Sequence, residues 1–407
     1  MGFSFSRLKL PSGFDRDLTL LMFSMSTRRI GMGFLQVVRV IYFALLGFSP
    51  VEIGLLLSIA TFVSAIHHIT FGMLSDRYGR KVFLILGGIF ATMRMVIFAL
   101  SSDFWMLALG QGVGAMGEGA GAGQPVVSGY ISDKTNMKNR SSIFSTLAVT
   151  NALAATVGSL LAGLPTWFQR SIGADLVTSH ALLFWIGAAG CIGSLLFLIP
   201  MKDVKAVVME DVVDEDVKNT PRKSSWGVIA KFSLVRSTSG LGWGFIDSLM
   251  PLYFFMRFGL GGEFLGPIYA AARLLSVFSY MLIPRFVDRF GEIPTIVLSR
   301  FFTALLTFAF SITPWMPLAV IIMISLRIAI MFTMPIRQSF ATGLVNPEET
   351  ATAIGVSNFA RMSLRTVAPT VAGYMFETMS YSMPFITGAT LLIANGLLFR
   401  AFFQPKK

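Results

Sequence analysis

Twelve long apolar stretches dominate this chain and leave few folds open to it. They fall at about 19–46, 51–74, 81–101, 104–131, 141–168 and 179–200, and then at about 226–256, 263–287, 293–312, 315–343, 350–376 and 380–403. About 20 apolar residues in a helix cross the hydrocarbon core of a bilayer. No water is available there, so each stretch has to satisfy its backbone internally as a helix. The wider composition agrees: 54% of the 407 residues are apolar and only 13% are charged, with a mean hydropathy of +0.70. An all-helical integral membrane protein with twelve spans is expected. The single cysteine, Cys191, excludes an intrachain disulfide and a multi-cysteine metal site.

Polar segments divide the chain into an arm (1–18), a first bundle (19–200), a linker (201–225), a second bundle (226–403) and a tail (404–407). The linker carries Glu210, Asp211, Asp214, Glu215 and Asp216, the pattern of a solvated connection. Twelve spans place both termini on one face, and all 11 lysines fall on that face. The opposite loops carry only Arg170 and Arg257. The positive-inside rule then makes the termini and the linker cytoplasmic. The net charge of +12 is therefore a topological signal, and it does not indicate nucleic-acid binding.

The two bundles repeat each other. Gly31, Gly33, Phe34, Tyr42, Phe43 and Glu52 recur 211 residues later as Gly242, Gly244, Phe245, Tyr253, Phe254 and Glu263. Pro125, Thr156, Val157 and Gly163 recur 210 residues later as Pro335, Thr366, Val367 and Gly373. The link between the second and third runs, Gly72 to Lys81, reads GMLSDRYGRK, and Asp76, Arg77 and Gly79 are echoed by Asp288, Arg289 and Gly291.

That link resembles the signature loop of the major facilitator superfamily, G-x-L-[SA]-D-R-x-G-R-[RK], at every defined position, including Gly72 and Arg80. The resemblance covers the whole chain. It implies two pseudo-symmetric six-helix bundles with a solute site between them near mid-membrane, and helices 1, 4, 7 and 10 lining the cavity. Related transporters often carry an Arg near the position of Gln111 on helix 4, and this chain has none there. The Gly-Pro motif that drug–proton antiporters carry on helix 5 is met only in part, by Gly158 and Gly163.

Charges inside a membrane are costly and are candidate functional groups. The mid-membrane acids are Glu118 and Asp247. The bases are Arg39, Arg94, Arg273, Arg327, Arg361 and Arg365. Depth along helices 7 and 10 allows Asp247 to pair with Arg327. The bland alternative is that such groups are structural ion pairs, snorkel or bond to backbone carbonyls; Arg94, on a helix that is peripheral in the family, fits the snorkelling or carbonyl-bonded reading best. Trp243, four residues before Asp247, is the tryptophan expected at the cavity; Trp105, Trp167, Trp226 and Trp315 sit near helix ends, as interfacial anchors do. His67 and His68 fit a packed pair better than a proton relay. The glycines of GQGVGAMGEGAGAG (110–123) match a dinucleotide fingerprint only in spacing. They lie inside a span, where small residues serve close helix packing.

No phosphate-binding GxxxxGK[ST] loop is present, so ion or solute gradients are the expected source of energy, and no cofactor is expected. The arginine excess favours a small organic anion as cargo, with Glu118 or Asp247 coupling protons. Multidrug or metabolite efflux by proton antiport stays open, as does a non-transporting receptor with a transporter fold. A monomer in the plasma membrane is expected. The family pattern also implies a cytoplasmic gate. Arg77 or Arg80 beside Asp76 should meet Glu348 or Glu349, and Asp288 or Glu292 should meet Lys138 or Arg140.

Overall fold

The computed structural model describes residues 14–117, 125–135, 137–203, 226–279, 282–334, 336–337, 340 and 350–404. Every regular element among them is helical. The first half contains α1 (Arg16–Met32), α2 (Leu35–Leu45), α3 (Pro50–Tyr78), α4 (Arg80–Leu100), α5 (Phe104–Gly117), α6 (Pro125–Lys134), α7 (Met137–Leu160), α8 (Leu164–Ile172) and α9 (Leu176–Leu198). The second contains α10 (Trp226–Asp247), α11 (Met250–Phe258), α12 (Gly262–Ser279), α13 (Ile283–Phe290), α14 (Glu292–Ile312), α15 (Met316–Phe332), α16 (Thr350–Thr378) and α17 (Met383–Phe403). Six helical segments among the described residues are long and apolar enough to cross a membrane. The stretches 19–46 and 226–256 were each expected as one span, and each is two helices.

Local chemistry accounts for several boundaries. Ser49, Pro50 and Glu52 form a capping box at the start of α3: Ser49 Oγ accepts from Glu52 N, and Glu52 Oε2 accepts from Ser49 N at 2.8 Å. The break after Asp247 follows from Pro251, which has no N–H to donate to the Asp247 carbonyl four residues earlier. The repeat extends to backbone conformation. Gly79 and Gly291 end one helix and begin the next at φ +98° and +80° with extended ψ, a region essentially reserved for glycine where a side chain would cost about 1–3 kcal/mol.

The packing of the described residues differs between the two ends. One apolar core joins both halves and includes Phe43, Ile53, Leu57, Ala162, Tyr253, Leu265, Ala368 and Ala372. Toward the termini it divides. Leu18, Phe83, Tyr130, Ile143 and Leu198 form a core within the first half, and Val235, Ile296, Ile336 and Phe399 form another within the second. At the far end the backbones of the two halves touch. A Cβ on Gly54 would overlap the Pro369 carbonyl, and one on Gly373 the Pro50 carbonyl. Ser58 Oγ and Thr370 Oγ1 share a hydrogen bond of 2.7 Å beside them. On the other flank a Cβ on Gly266 would lie 2.6 Å from the Ser159 carbonyl, and Thr166 donates to Glu263 Oε2 at 2.8 Å. Among the described residues the halves meet at the far face, and their apolar cores are separate toward the termini.

The described members of the expected gate pairs have these surroundings. Arg80 Nε is 3.1 Å from Asp133, and Nη1 donates to Ser75 at 3.0 Å. Lys81 N donates to Asp203 at 3.0 Å and Lys81 Nζ to the Ile199 carbonyl at 2.7 Å. The exposed Arg77 lies over the Tyr78 ring. Arg140 donates to the carbonyls of Ser132 and Thr135 at the end of α6, and Asp288 is exposed. Glu348 and Glu349 lie outside the described residues, as do the side chains of Asp76 and Lys138.

At the same face Lys134 binds Asp15 at 2.9 Å and also pairs with Asp17. Burial pushes the Asp17 carboxyl up, but hydrogen bonds from Lys134 and the Lys202 N–H outweigh it and hold the group below its ordinary 3.8. The pair therefore stabilises the fold above that value and ceases to as the pH falls through the lower folded value. The melting temperature of the detergent-solubilised protein should exceed that of Lys134→Met at neutral pH, with the gap closing well below pH 3.8. A gap independent of pH would place the effect elsewhere. A second expectation concerns the far closure. Val at both 54 and 373 should hold the backbones apart, so spin labels at positions 47 and 381 should move apart. Unchanged distances would show that these glycine contacts do not close that face.

Candidate functional site

A cavity of about 360 Å³ lies between the halves, within the range of small-molecule sites. Asp247 enters it at the end of α10, where the helix breaks. Arg327 Nη2 is 2.6 Å from Asp247 Oδ1, and Arg365 Nη2 is 3.3 Å from Oδ2. Gln36 Nε2 donates to Oδ1 at 3.4 Å. The Gln36 carbonyl accepts from Arg273 Nη2 at 3.1 Å, and Arg273 Nη1 donates to the Ala155 carbonyl at 2.6 Å. The guanidinium of Arg327 also sits 4.6 Å over the Tyr269 ring, a cation–π contact. One continuous polar chain thus runs from the second half into the first. Gln36 and Asp247 are 211 residues apart, the offset that relates Gly33 to Gly244, so the two repeat-related residues meet each other.

The cavity wall is strongly cationic. Among its described residues are Arg28, Arg29, Arg39, Arg94, Arg273 and Arg365, against Asp247 as the one carboxylate. Arg28 is buried, and its Nε and Nη1 meet no hydrogen-bond partner among the described residues. Arg273 bonds to two neutral carbonyl groups.

Of the residues proposed from sequence, Arg39, Asp247 and Arg365 line this space, and Arg327 reaches it through Asp247. Trp243 packs against the central apolar core and does not line the cavity. Arg361 lies beside Gly240, one turn away from Arg365 and outside the lining. Glu118 lies outside the described residues. Arg94, expected to snorkel, is 0% exposed and lines the cavity. The reason is Gly114: a Cβ there would overlap the Arg94 side chain, so the glycine-rich helix leaves the channel that Arg94 occupies. Buried His67 packs on the Phe71 ring at 3.9 Å. Sequence reasoning missed Arg28, Arg29 and Gln36. The repeat offset from Asp247 was a signal for Gln36.

Two helical halves that share a core at one face and enclose a charged cavity have the architecture of a multi-pass membrane carrier. The chain matches the model of the Major Facilitator Superfamily over residues 21–369 and belongs to that family. It is 35% identical to the inner membrane transport protein YajR of Escherichia coli over 171 residues, which are 40% of this chain and 36% of that protein. It is 24% identical to the class H tetracycline resistance protein of Pasteurella multocida over 60% of each chain. These alignments span less than two thirds of either relative. The fold extends further: the nucleoside transporter NupG superposes with a TM-score of 0.74 over 96% of this chain and all of that one, at 15% identity.

Asp247 and Arg327 are partly exposed to the cavity (25% and 18%), so removing one partner should cost between about 0–1 kcal/mol, as for a surface pair, and about 3–5 kcal/mol, as for a fully buried one. Asp247→Asn should destabilise the purified protein by that order in chemical unfolding. Adding Arg327→Met should recover part of the loss. If the double variant shows the plain sum of the single effects, the two residues are not coupled.

Proposed function

We propose that this chain carries a small organic anion across the plasma membrane by alternating access, coupled to protons. The observation that carries the reading is the cavity's uncompensated charge: Arg28 and Arg273 have no carboxylate partner among the described residues. A carboxylate or phosphate would supply the missing acceptor, and a guanidinium can bind either through two parallel hydrogen bonds. Glu118 is the proposed proton carrier. Asp247 is the second candidate, but with two guanidiniums already on its carboxylate it has less to gain from a proton.

The lysine distribution supports twelve spans with cytoplasmic termini, which makes the conformation described here the inward-open one. In the opposite state Arg77 or Arg80 would meet Glu348 or Glu349, and Asp288 or Glu292 would meet Lys138 or Arg140. Arg80 would first have to leave Asp133. The protein works as a monomer, with no cofactor and no nucleic-acid partner in this reading.

The resistance protein among the relatives favours a second reading, drug efflux by proton antiport. Proteoliposomes with an imposed proton gradient separate the two. Carboxylates or organic phosphates should accumulate, and Arg273→Lys should raise the half-saturating concentration at least tenfold through loss of the planar fork. Glu118→Gln should abolish gradient-driven accumulation and leave exchange intact. Transport of tetracycline with no anion flux would establish efflux instead. Ligand binding without any flux would identify a receptor.

A further inference from the structure

The second half gathers another group of arginines that the cavity does not use, one buried (Arg300) and three half-buried (Arg236, Arg337 and Arg361). Arg300 on α14 reaches Ser239 of α10, Arg361 on α16 lies against Gly240 of α10, and Arg236 on α10 reaches Asn358, one turn from Arg361. Arg337, beyond α15, is close enough for its charge and theirs to repel. None lines the central cavity. Arg300 is only 3% exposed. Their hydrogen-bond partners among the described residues are neutral. Arg236 Nη2 binds the Asn358 side-chain carbonyl, Arg300 Nη2 donates to Ser239 at 3.1 Å, and Arg337 Nε donates to the Thr333 carbonyl at 3.2 Å. The Nε atoms of Arg236 and Arg361 are buried without a partner among the described residues. No ion pair joins any of the four to a described carboxylate.

Burying one unpaired ion costs several kcal/mol even after the protein relaxes. Four like charges together add mutual repulsion in a medium of low dielectric. Hydrogen bonds to neutral groups satisfy guanidinium geometry but leave the charge uncompensated. The arrangement is stable when a negative group sits among the four.

We propose that these four arginines form a second anion-binding site, taking a carboxylate- or phosphate-bearing solute. Its position gives it a role. Arg361 is one turn from Arg365 of the cavity wall. Arg236 is about 16 Å along α10 from Asp247, toward the open face. The site therefore stands between the central cavity and the terminus-bearing opening, where an anion passes on entry or release. The first half offers a contrast. Arg29 donates to Asn151 at 3.1 Å with the same 122-residue separation as Arg236 and Asn358, yet Arg29 lines the cavity. The second-half pair lies four residues, one turn, nearer the open face than the 211-residue repeat would place it. Binding at this site stands apart from the transport reading; its service as a way-station rests on that reading.

The test uses the full chain, purified in detergent, with inorganic phosphate titrated against chloride at constant ionic strength. Phosphate should raise the melting temperature saturably. Because the cavity also takes anions, the titration is repeated on the Arg273→Gln background: phosphate should still raise its melting temperature, and adding Arg300→Gln with Arg337→Gln should weaken half-saturation at least tenfold. Without phosphate, the double variant should melt above the wild type, since repulsion is relieved; a purely structural cluster would melt below it. A phosphate response untouched by the double variant overturns the site. If that variant does not fold, wild-type crystals soaked in tungstate decide: density among the four guanidiniums is expected, and its absence overturns the proposal. Native mass spectrometry separates the sources. A phospholipid retained by the wild type and lost from the double variant would assign the phosphate group to a lipid and overturn the solute station. These readouts measure binding, so they can succeed even where proteoliposomes show no flux.

Discussion

The carboxylate of Asp247 is the counter-charge on which the polar interior depends. It engages Arg327 and Arg365 directly and reaches Arg273 through Gln36. Among the described residues it is the one carboxylate lining the cavity, in a setting where each unpaired ion costs several kcal/mol. Its place is set by an ordinary backbone fact, the missing N–H of Pro251, which ends α10 and turns the side chain into the space between the halves. A secondary-structure boundary and an electrostatic centre are thus the same event.

Closure of the far face relies on a different kind of contact. Gly54, Gly373 and Gly266 let backbone meet backbone, with one Ser–Thr hydrogen bond beside them. Such surfaces bury little polar area and hold few specific bonds, so they can part without stranding charges in the membrane. At the terminus face the closing groups proposed are ionic, and they can return to water when separated, where each pair contributes only about 0–1 kcal/mol. The two ends of the bundle use opposite chemistries for the same task.

The fold was largely legible because its constraints are local and periodic: long apolar runs, a repeat at 210–212 residues and glycines at matching turns. The pairing of Asp247 with Arg327 was legible too, since depth along two helices is simple arithmetic. Arg94 was misread because helix position alone does not reveal that Gly114, twenty residues later, opens a channel for its side chain. Trp243 was placed at the cavity on proximity to Asp247; it shares a helix face with Asp247 but lies one turn away, against the central apolar core. Gln36 was overlooked because uncharged residues attract no notice in a search for intramembrane charge. The conformational state could not be read at all, since one sequence encodes both the open and the closed arrangement.

The contact between Gln36 and Asp247 bears on how such a chain could arise. Residues related by an internal repeat and touching each other lie on the axis that relates the halves. In an ancestor made of two identical copies, both positions would have held the same residue. Two aspartates 3.4 Å apart would repel, and two glutamines would leave the arginines without a counter-charge. An unlike pair satisfies both demands, and it requires two separately encoded copies. On this ground duplication of the half came before the present charge arrangement, and the asymmetry at the axis is a record of that order.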